Sequence, residues 1–431
     1  MTRLRPLDII ALGFMTIALF IGAGNIIFPP IVAQQAGENV WWAAVGFLIT
    51  AVGLPVLTIV ALSRVQGSFE ALSKPLGKYA GLALAIACYL FVGPLFATPR
   101  TATVSFEIGM SHYFENDSTA LMLYSVIYFA VVTVVSLYPN KLLDSIGFIL
   151  GPLKMLSLLI LGISAFIVVT GDVHAPIENY IHSPVSEGFV NGYLTMDTLG
   201  ALVFGIVIIR AIQSRGVTHH QLLTKYACYA GIFAGVGLAI IYISLFKLGM
   251  GSHELAPQAS NGALILHAYV NHVFGSTGTL FLTVLITLAC LVTAIGLTCA
   301  CAEYFSAITK LPYKLFVFIL VISSLFISNL GLTQLIKVSV PMLSVIYPPA
   351  IVVILLSFFA PFFKQAKRVF IPTTLCALVF GIFDGLTVAG FNAWVPHVIQ
   401  SLPFAAQNLA WLIPALVVLI LSVCYDQAQK A

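Results

Sequence analysis

The chain contains 431 residues, of which 60% are hydrophobic and only 8% are charged. An average soluble domain has about 25% charged residues, because its surface needs polar groups to face water. The composition therefore excludes an ordinary cytosolic enzyme, and the high hydrophobicity excludes a disordered chain. The formal net charge is +4, without the dense basic segment that nucleic-acid binding needs. These features predict an all-α polytopic membrane protein.

Twelve hydrophobic runs are long enough, at roughly 20 residues each, to cross a bilayer as helices. They span residues 8–33, 39–63, 78–112, 119–138, 143–170, 194–214, 223–248, 276–307, 312–329, 333–359, 369–390 and 404–425. An even number of spans places both termini on the same side of the membrane.

The charged residues of the short loops predict the orientation. With the N-terminus inside, most Lys and Arg residues fall in inner segments, whereas the outer loops carry acidic residues such as Glu38, Asp172 and Glu254. We therefore expect both termini in the cytoplasm. Two segments are not simple spans, because residues 171–193 form a polar outer loop and residues 249–275 form an outer hairpin or surface helix.

Two runs carry glycine-rich segments that interrupt a helix. The first run contains Gly22-Ala23-Gly24-Asn25, and the sixth contains Gly200 to Gly205, just after Asp197 and Thr198. Glycine weakens a helix, and asparagine brings a polar side chain into the membrane. At the helical rise, each segment lies roughly 15 Å from the outer end of its span, near the midplane.

Breaks of equal depth in two helices of opposite direction are typical of transporters with inverted repeats. Residues 1–170 would form the first repeat and residues 194–360 the second, with two further helices in residues 361–431. An unwound turn leaves N–H and C=O groups unpaired in the membrane, and both charged ends of an α-amino acid would satisfy them. The alternative is that the glycines only permit close helix packing.

Several long motifs match one family together. They are MTIALFIGAGNIIFPP (15–30), GPLFATPRTAT (93–103), GYLTMDTLGALVFGIV (192–207), CLVTAIGLTCACAEYF (290–305) and IYPP (346–349). The chain resembles the bacterial branched-chain amino acid carrier family, the LIV-II or BrnQ type, over essentially its whole length. That resemblance implies a LeuT-like fold of five plus five inverted-repeat helices with two extra spans. It also implies import of leucine, isoleucine and valine by symport with a cation, usually Na⁺.

The resemblance assigns substrate-binding roles to residues at both breaks. Gly22, Ala23, Gly24 and Asn25 resemble the first-helix turn, where the backbone holds the substrate carboxylate and the Asn side chain can ligate sodium. The sixth-helix turn is matched by Thr198, Gly200, Ala201, Phe204 and Gly205, with a register uncertain by a residue or two. Phe204 either forms a wall of the side-chain pocket or packs in the core.

The resemblance also implies a sodium site, with Thr293 as hydroxyl ligand and backbone carbonyls near Ala18, Ile21 and Cys290. Ala294 follows where related sodium carriers often have a second hydroxyl, so the site has fewer ligands than usual. Lys154 lies near the middle of the fifth span, where a charge is costly and indicates function. It either replaces that sodium, with proton coupling, or plays an accessory or structural role.

Two further charges are candidate gates. Arg100 and Glu107 are seven residues apart on one helix face, and they either form an outer gate or solvate the end of the third helix. Asp197 is a candidate gate or a contact for the substrate amine. The sequence contains none of the motifs that are typical of other membrane protein classes. These are the filter motifs of a channel, the metal motif of an intramembrane enzyme and a nucleotide-binding loop.

We therefore expect a secondary importer in the bacterial cytoplasmic membrane that is not an enzyme. Its partners would be a small amino acid, a coupling ion (Na⁺, with H⁺ as the alternative) and the lipid bilayer. No cofactor, ATP or nucleic acid is expected, and the sequence leaves the oligomeric state open. An amino-acid exchanger without sodium coupling is the alternative function.

Overall fold

A computed structural model describes residues 4–110, 118–138, 151–168 and 171–429. These residues form helices and connecting loops. The helices of nine or more residues are α1 Pro6–Phe20, α2 Ala23–Ala36, α3 Val40–Leu48, α4 Leu54–Ser63, α5 Lys78–Leu90, α6 Ala97–Gly109, α7 Ser118–Ser136, α8 Gly151–Ile167, α9 Pro184–Gly192, α10 Asp197–Gln213, α11 His220–Met250, α12 Gly262–Thr309, α13 Tyr313–Ser328, α14 Leu332–Phe359, α15 Ala366–Val388 and α16 Leu412–Ala428. Single-turn helices lie at Phe69–Leu72 and His397–Gln400.

Seven helical segments of the described chain, some of them kinked, are long and apolar enough to cross a membrane, and a bent pair makes an eighth. The seven are Ala23–Ser63, Lys78–Gly109, Ser118–Ser136, His220–Met250, Gly262–Thr309, Leu332–Phe362 and Ala366–Val388. Four apolar helices are shorter, namely Pro6–Phe20, Lys154–Ile167, Tyr313–Ser328 and Leu412–Ala428. The end of the predicted run 78–112 and the beginning of the run 143–170 lie outside the described residues.

Two of these long helices contain a π-helical turn. Ile49–Gly53 joins α3 to α4, and Phe91–Leu95 joins α5 to α6. The second turn includes Gly93, with a non-helical backbone, and Pro94, which has no N–H to donate. Such turns insert one residue without ending the helix and are frequent at functional sites.

The helix α12 contains a sharp kink at Gly275, whose φ of 65° favours glycine. Residues 249–275, for which the sequence predicts an outer hairpin or surface helix, consist of the end of α11, a loop and the first part of α12. In that part Ile265, Leu266 and Tyr269 are buried against the rest of the protein. This segment is a packed helix that continues into the predicted span 276–307.

The core is formed by α1, α2, α6, α10, α11 and α12, which contact one another around the break between α1 and α2. The helix α9 lies close against α3 because Gly46 and Gly188 have no side chain, and a Cβ at either would be within 1.9 Å of a backbone oxygen. Large apolar side chains cover the outer surface, as at Trp42 (63% exposed) and Phe326 (73% exposed). Such a surface matches lipid and not water.

Candidate functional site

The first break separates α1 from α2 at Ile21 and Gly22, whose backbones are extended. The Gly22 N–H, which has no helical acceptor, donates to Asn25 Oδ1 at 2.8 Å. Ala23, Gly24 and Asn25 form the first turn of α2, so the break begins one residue before the predicted segment. The Ile21 carbonyl, at the end of α1, lies within hydrogen-bond distance of two side chains distant in sequence, Lys154 and Thr293.

The second break lies earlier than the sequence predicts. A 3₁₀ turn at Tyr193–Thr195 is followed by Met196 in the left-handed region (φ 62°), and α10 begins at Asp197 with a 40° bend from the preceding helix. The prediction of an unwound turn from Gly200 to Gly205 is wrong, because both glycines lie within regular helix.

The physical reason is packing. A glycine within a helix costs only about 1 kcal/mol relative to alanine, which tertiary contacts easily offset. A Cβ at Gly205 would lie 2.2 Å from Leu62 Cδ1, so this glycine permits α10 to approach α4. The alternative interpretation of close helix packing therefore holds for Gly205.

The two breaks are joined by a buried polar cluster of Asn25, Asp197 and Tyr242. The Asn25 amide donates to both carboxylate oxygens of Asp197, at 2.8 and 2.7 Å. The Tyr242 hydroxyl of α11 donates to Asp197 Oδ2 at 2.5 Å and also contacts the Asn25 amide. Asp197 is 3% exposed and Asn25 is 1% exposed. The cluster fixes the start of α10 against the start of α2.

Arg100 of α6 lies beside the same junction and is 2% exposed. Its Nη1 donates to the Leu194 carbonyl at 2.6 Å, and its Nη2 donates to Ser339 Oγ at 3.1 Å. The guanidinium also lies over the Phe28 ring, 5.1 Å from the centroid. Within the described residues, Arg100 forms no ion pair with Glu107. Its contacts place it at the second break.

Lys154 and Thr293 meet at the end of α1. The Lys154 ammonium donates to the Ile21 carbonyl, and Lys154 is 5% exposed. The Thr293 hydroxyl lies 3.1 Å from the Ala289 carbonyl, its own helix partner, and 3.4 Å from the Ile21 carbonyl. The lysine therefore contacts a carbonyl that the family resemblance assigned to a sodium ion.

A cavity of about 40 Å³ lies between the two breaks. The predicted residues that line it are Gly22, Ala23, Gly24, Asn25, Arg100, Asp197, Gly200, Phe204 and Thr293. The predicted residues outside its lining are Ala18, Ile21, Lys154, Thr198, Ala201, Gly205 and Cys290. Thr198, for example, donates instead to the Thr50 carbonyl at 3.2 Å. The structure thus brings residues from α2, α6, α10 and α12 to one place.

Sequence reasoning missed several lining residues. They are Leu19, Phe20, Val92, Ala97, Thr101, Thr195, Met196 and Leu297. All but Val92 lie within the motifs that suggested the family, so motif membership was the available signal. Tyr242 lies in a plain apolar run, and nothing in the sequence marked it as a partner of Asp197.

A family model described as branched-chain amino acid transport protein matches residues 6–429. The branched-chain amino acid permease BrnQ of Escherichia coli (strain K12) is 55% identical over 426 residues, which cover 99% of this chain and 97% of the relative. The branched-chain amino acid transport system 3 carrier protein of Pseudomonas aeruginosa is 57% identical over 419 residues, covering 97% and 96%. The permease BraB of Bacillus subtilis is 41% identical over 415 residues, covering 95% and 93%.

Solved structures of transporters share the fold at low sequence identity. MHP1, a nucleobase-cation-symport-1 family transporter in a closed conformation with bromovinylhydantoin bound, superposes with a TM-score of 0.62 at 14% identity, covering 97% of this chain and 91% of that one. MhsT in complex with L-phenylalanine gives a TM-score of 0.59 at 17% identity, covering 96% and 98%. The chain therefore has a LeuT-like transporter fold.

Proposed function

Because the chain belongs to the branched-chain amino acid transport protein family, we propose that it imports leucine, isoleucine and valine across the bacterial cytoplasmic membrane by alternating access. The family and its relatives are transporters and permeases, so the protein is a transporter and not an enzyme. The observation that carries the proposal is the buried cavity at the meeting point of two helix breaks. Non-helical backbone within a membrane protein is tolerated where it is buried in protein or lines a cavity.

The proposed architecture has twelve spans and cytoplasmic termini. In this arrangement α1 and α2 together form one span that contains the first break. The shorter helices α8, α13 and α16 each correspond to one span. Residues 1–170 and 194–360 would then be inverted repeats. The paired breaks support this arrangement, since each repeat would open with a discontinuous helix.

The proposed substrate site uses the backbone at Gly22 to Asn25 for the charged end and an apolar wall that includes Phe204. A volume of about 40 Å³ holds a few water molecules but not a leucine side chain. Substrate entry therefore requires side chains such as Phe204 to move, as expected of a closed site that opens alternately to each side. An apolar pocket discriminates by only about 1–3 kcal/mol per methylene, so we expect the three substrates to compete.

Two coupling schemes remain, and each rests on one observation. In the sodium scheme, Thr293 and carbonyls near Ala18, Ile21 and Cys290 bind Na⁺, and the Thr293 hydroxyl 3.4 Å from the Ile21 carbonyl favours it. In the proton scheme, Lys154 replaces sodium and carries the proton, and its contact with the Ile21 carbonyl favours this arrangement. Both contacts involve the Ile21 carbonyl, so leucine uptake under each ion gradient decides between the two schemes.

The test is uptake of labelled leucine into proteoliposomes under an inward Na⁺ gradient or an inward proton gradient. Excess unlabelled valine or isoleucine should block uptake, whereas alanine and arginine should not. Absence of leucine uptake under both gradients, with folded protein, would refute the proposed function.

Two variants of α12 address the sodium scheme. If the sodium scheme is correct, Thr293→Val should abolish Na⁺-driven uptake. If the proton scheme is correct, the same variant should keep proton-driven uptake. The matched control is Thr283→Val, whose hydroxyl donates to the Thr279 carbonyl at 2.9 Å within the same helix. Sodium-driven uptake that survives Thr293→Val would exclude the proposed sodium ligand.

A further inference from the structure

Two opposite charges line the central cavity, and neither has a counter-charge in the described part of the chain. Arg100 is 2% exposed and Asp197 is 3% exposed. The ion pairs within the described residues are Arg210–Glu303 and Arg368–Asp426, and neither involves the cavity. A charge buried without an opposite charge is strongly unfavourable, so its presence at a cavity indicates that a ligand supplies the missing partner.

The hydrogen bonds of the two side chains solvate their charges without neutralising them. Arg100 binds the Leu194 carbonyl and the Ser339 hydroxyl, and its Nε is buried without a partner among the described residues. A guanidinium has five N–H donors, so several are still free to bind an anion. Asp197 receives donors from Asn25 and Tyr242, which are both uncharged. Its remaining lone pairs can accept from an ammonium.

The two charges both lie at the first turn of α2. A Cβ at Gly24 would lie 3.3 Å from Arg100 Nη1, and the next residue, Asn25, donates to Asp197. Two unlike charges at neighbouring positions of one helix turn match the two ends of an α-amino acid. The N-terminal turn of α2 adds N–H groups that favour the carboxylate.

We propose that Arg100 binds the α-carboxylate of the substrate and Asp197 binds its α-ammonium, so that the carrier selects zwitterions. This inference rests on the proposed function. It replaces the gate role that the sequence suggested for Arg100, and of the two roles suggested for Asp197 it selects the contact with the substrate amine. The site then takes an α-amino acid with an apolar side chain. It rejects an amine or an acid with the same side chain, because either would leave one protein charge buried and unpaired.

The first experiment measures binding of three ligands to the wild-type protein in nanodiscs by isothermal titration calorimetry. The ligands are L-leucine, 3-methylbutylamine, which lacks the carboxylate, and 4-methylpentanoate, which lacks the ammonium. We expect leucine to bind at least about 30-fold more tightly than either analogue, since loss of one partner from a buried charge pair has an effect of this size. Either analogue binding as tightly as leucine would overturn the proposal, even without any variant.

The second experiment asks which analogue each variant fails to distinguish from leucine. Asp197→Asn should bind leucine and 4-methylpentanoate within about 3-fold of each other, because the ammonium no longer contributes, yet it should still reject the amine. Arg100→Gln should show the opposite pattern. A purely structural role would weaken all three ligands alike, and that result, or unchanged ratios, would overturn the assignment.

Controls separate this inference from the proposed function. Arg210→Gln and Glu303→Gln remove an exposed ion pair (63% and 50% exposed side chains) and should keep the wild-type ligand order. Wild-type protein that binds none of the three ligands would refute the proposed function. Wild-type protein that binds leucine, with Arg100→Gln and Asp197→Asn keeping its selectivity, would refute only the charge assignment.

Discussion

Replacing Lys154 by methionine removes the ammonium that donates to the Ile21 carbonyl while keeping a side chain of similar length. A hydrogen bond to a charged group contributes about 1.5–3 kcal/mol, and a buried carbonyl left without a donor costs a similar amount. At about 1.4 kcal/mol for each tenfold change, the lost contact reduces the population of the coupled conformation by about 10- to 150-fold. In the proton scheme, leucine uptake driven by a proton gradient should fall by at least that factor, because methionine also cannot carry the proton.

The assay is initial-rate uptake of labelled leucine into sodium-free proteoliposomes at equal protein content. The matched control is Lys337→Met on α14, where the side chain is exposed, and it should transport at the wild-type rate. Proton-driven uptake by Lys154→Met at the wild-type rate would refute the reasoning. In that case Lys154 would have no part in coupling, and the sodium scheme with Thr293 would remain.

Three further predictions concern the cavity and its supports. Gly24→Ala should raise the KM for leucine, because its Cβ would lie 3.1–3.3 Å from backbone atoms and from Arg100. The control Gly53→Ala, whose nearest neighbouring atom is 3.8 Å away, should keep the wild-type KM in the same uptake assay. Phe204→Ala should enlarge the cavity, so phenylalanine should compete with labelled leucine in the variant but not in the wild type. Tyr242→Phe removes a donor to the Asp197 carboxylate and should lower the free energy of unfolding by about 1.5–3 kcal/mol. An unchanged midpoint of the reversible unfolding transition would contradict the proposed importance of this hydrogen bond.

The first break was predictable from sequence, whereas the second was displaced. At Gly22 the backbone N–H has no helical acceptor. The side-chain oxygen of Asn25, three residues later, accepts its hydrogen bond instead. Both requirements are local, so the sequence states them. At the second break, the glycines of residues 200–205 suggested an unwound turn, yet the chain bends at Met196, a residue with no tendency to do so. The bend is accompanied by the contact between Arg100 and the Leu194 carbonyl, which joins distant parts of the chain.

Composition and hydropathy by themselves determined that the chain is helical and lies in a membrane, because each span must satisfy its own backbone and carry enough apolar surface. The motifs determined the family. Tertiary structure alone decided which charges meet. The sequence offered Lys154, Arg100 and Asp197 as candidate functional charges, and packing brought the first to the Ile21 carbonyl and the other two to one cavity. Contacts between residues far apart in sequence depend on how whole helices pack, and no local pattern of residues records that arrangement.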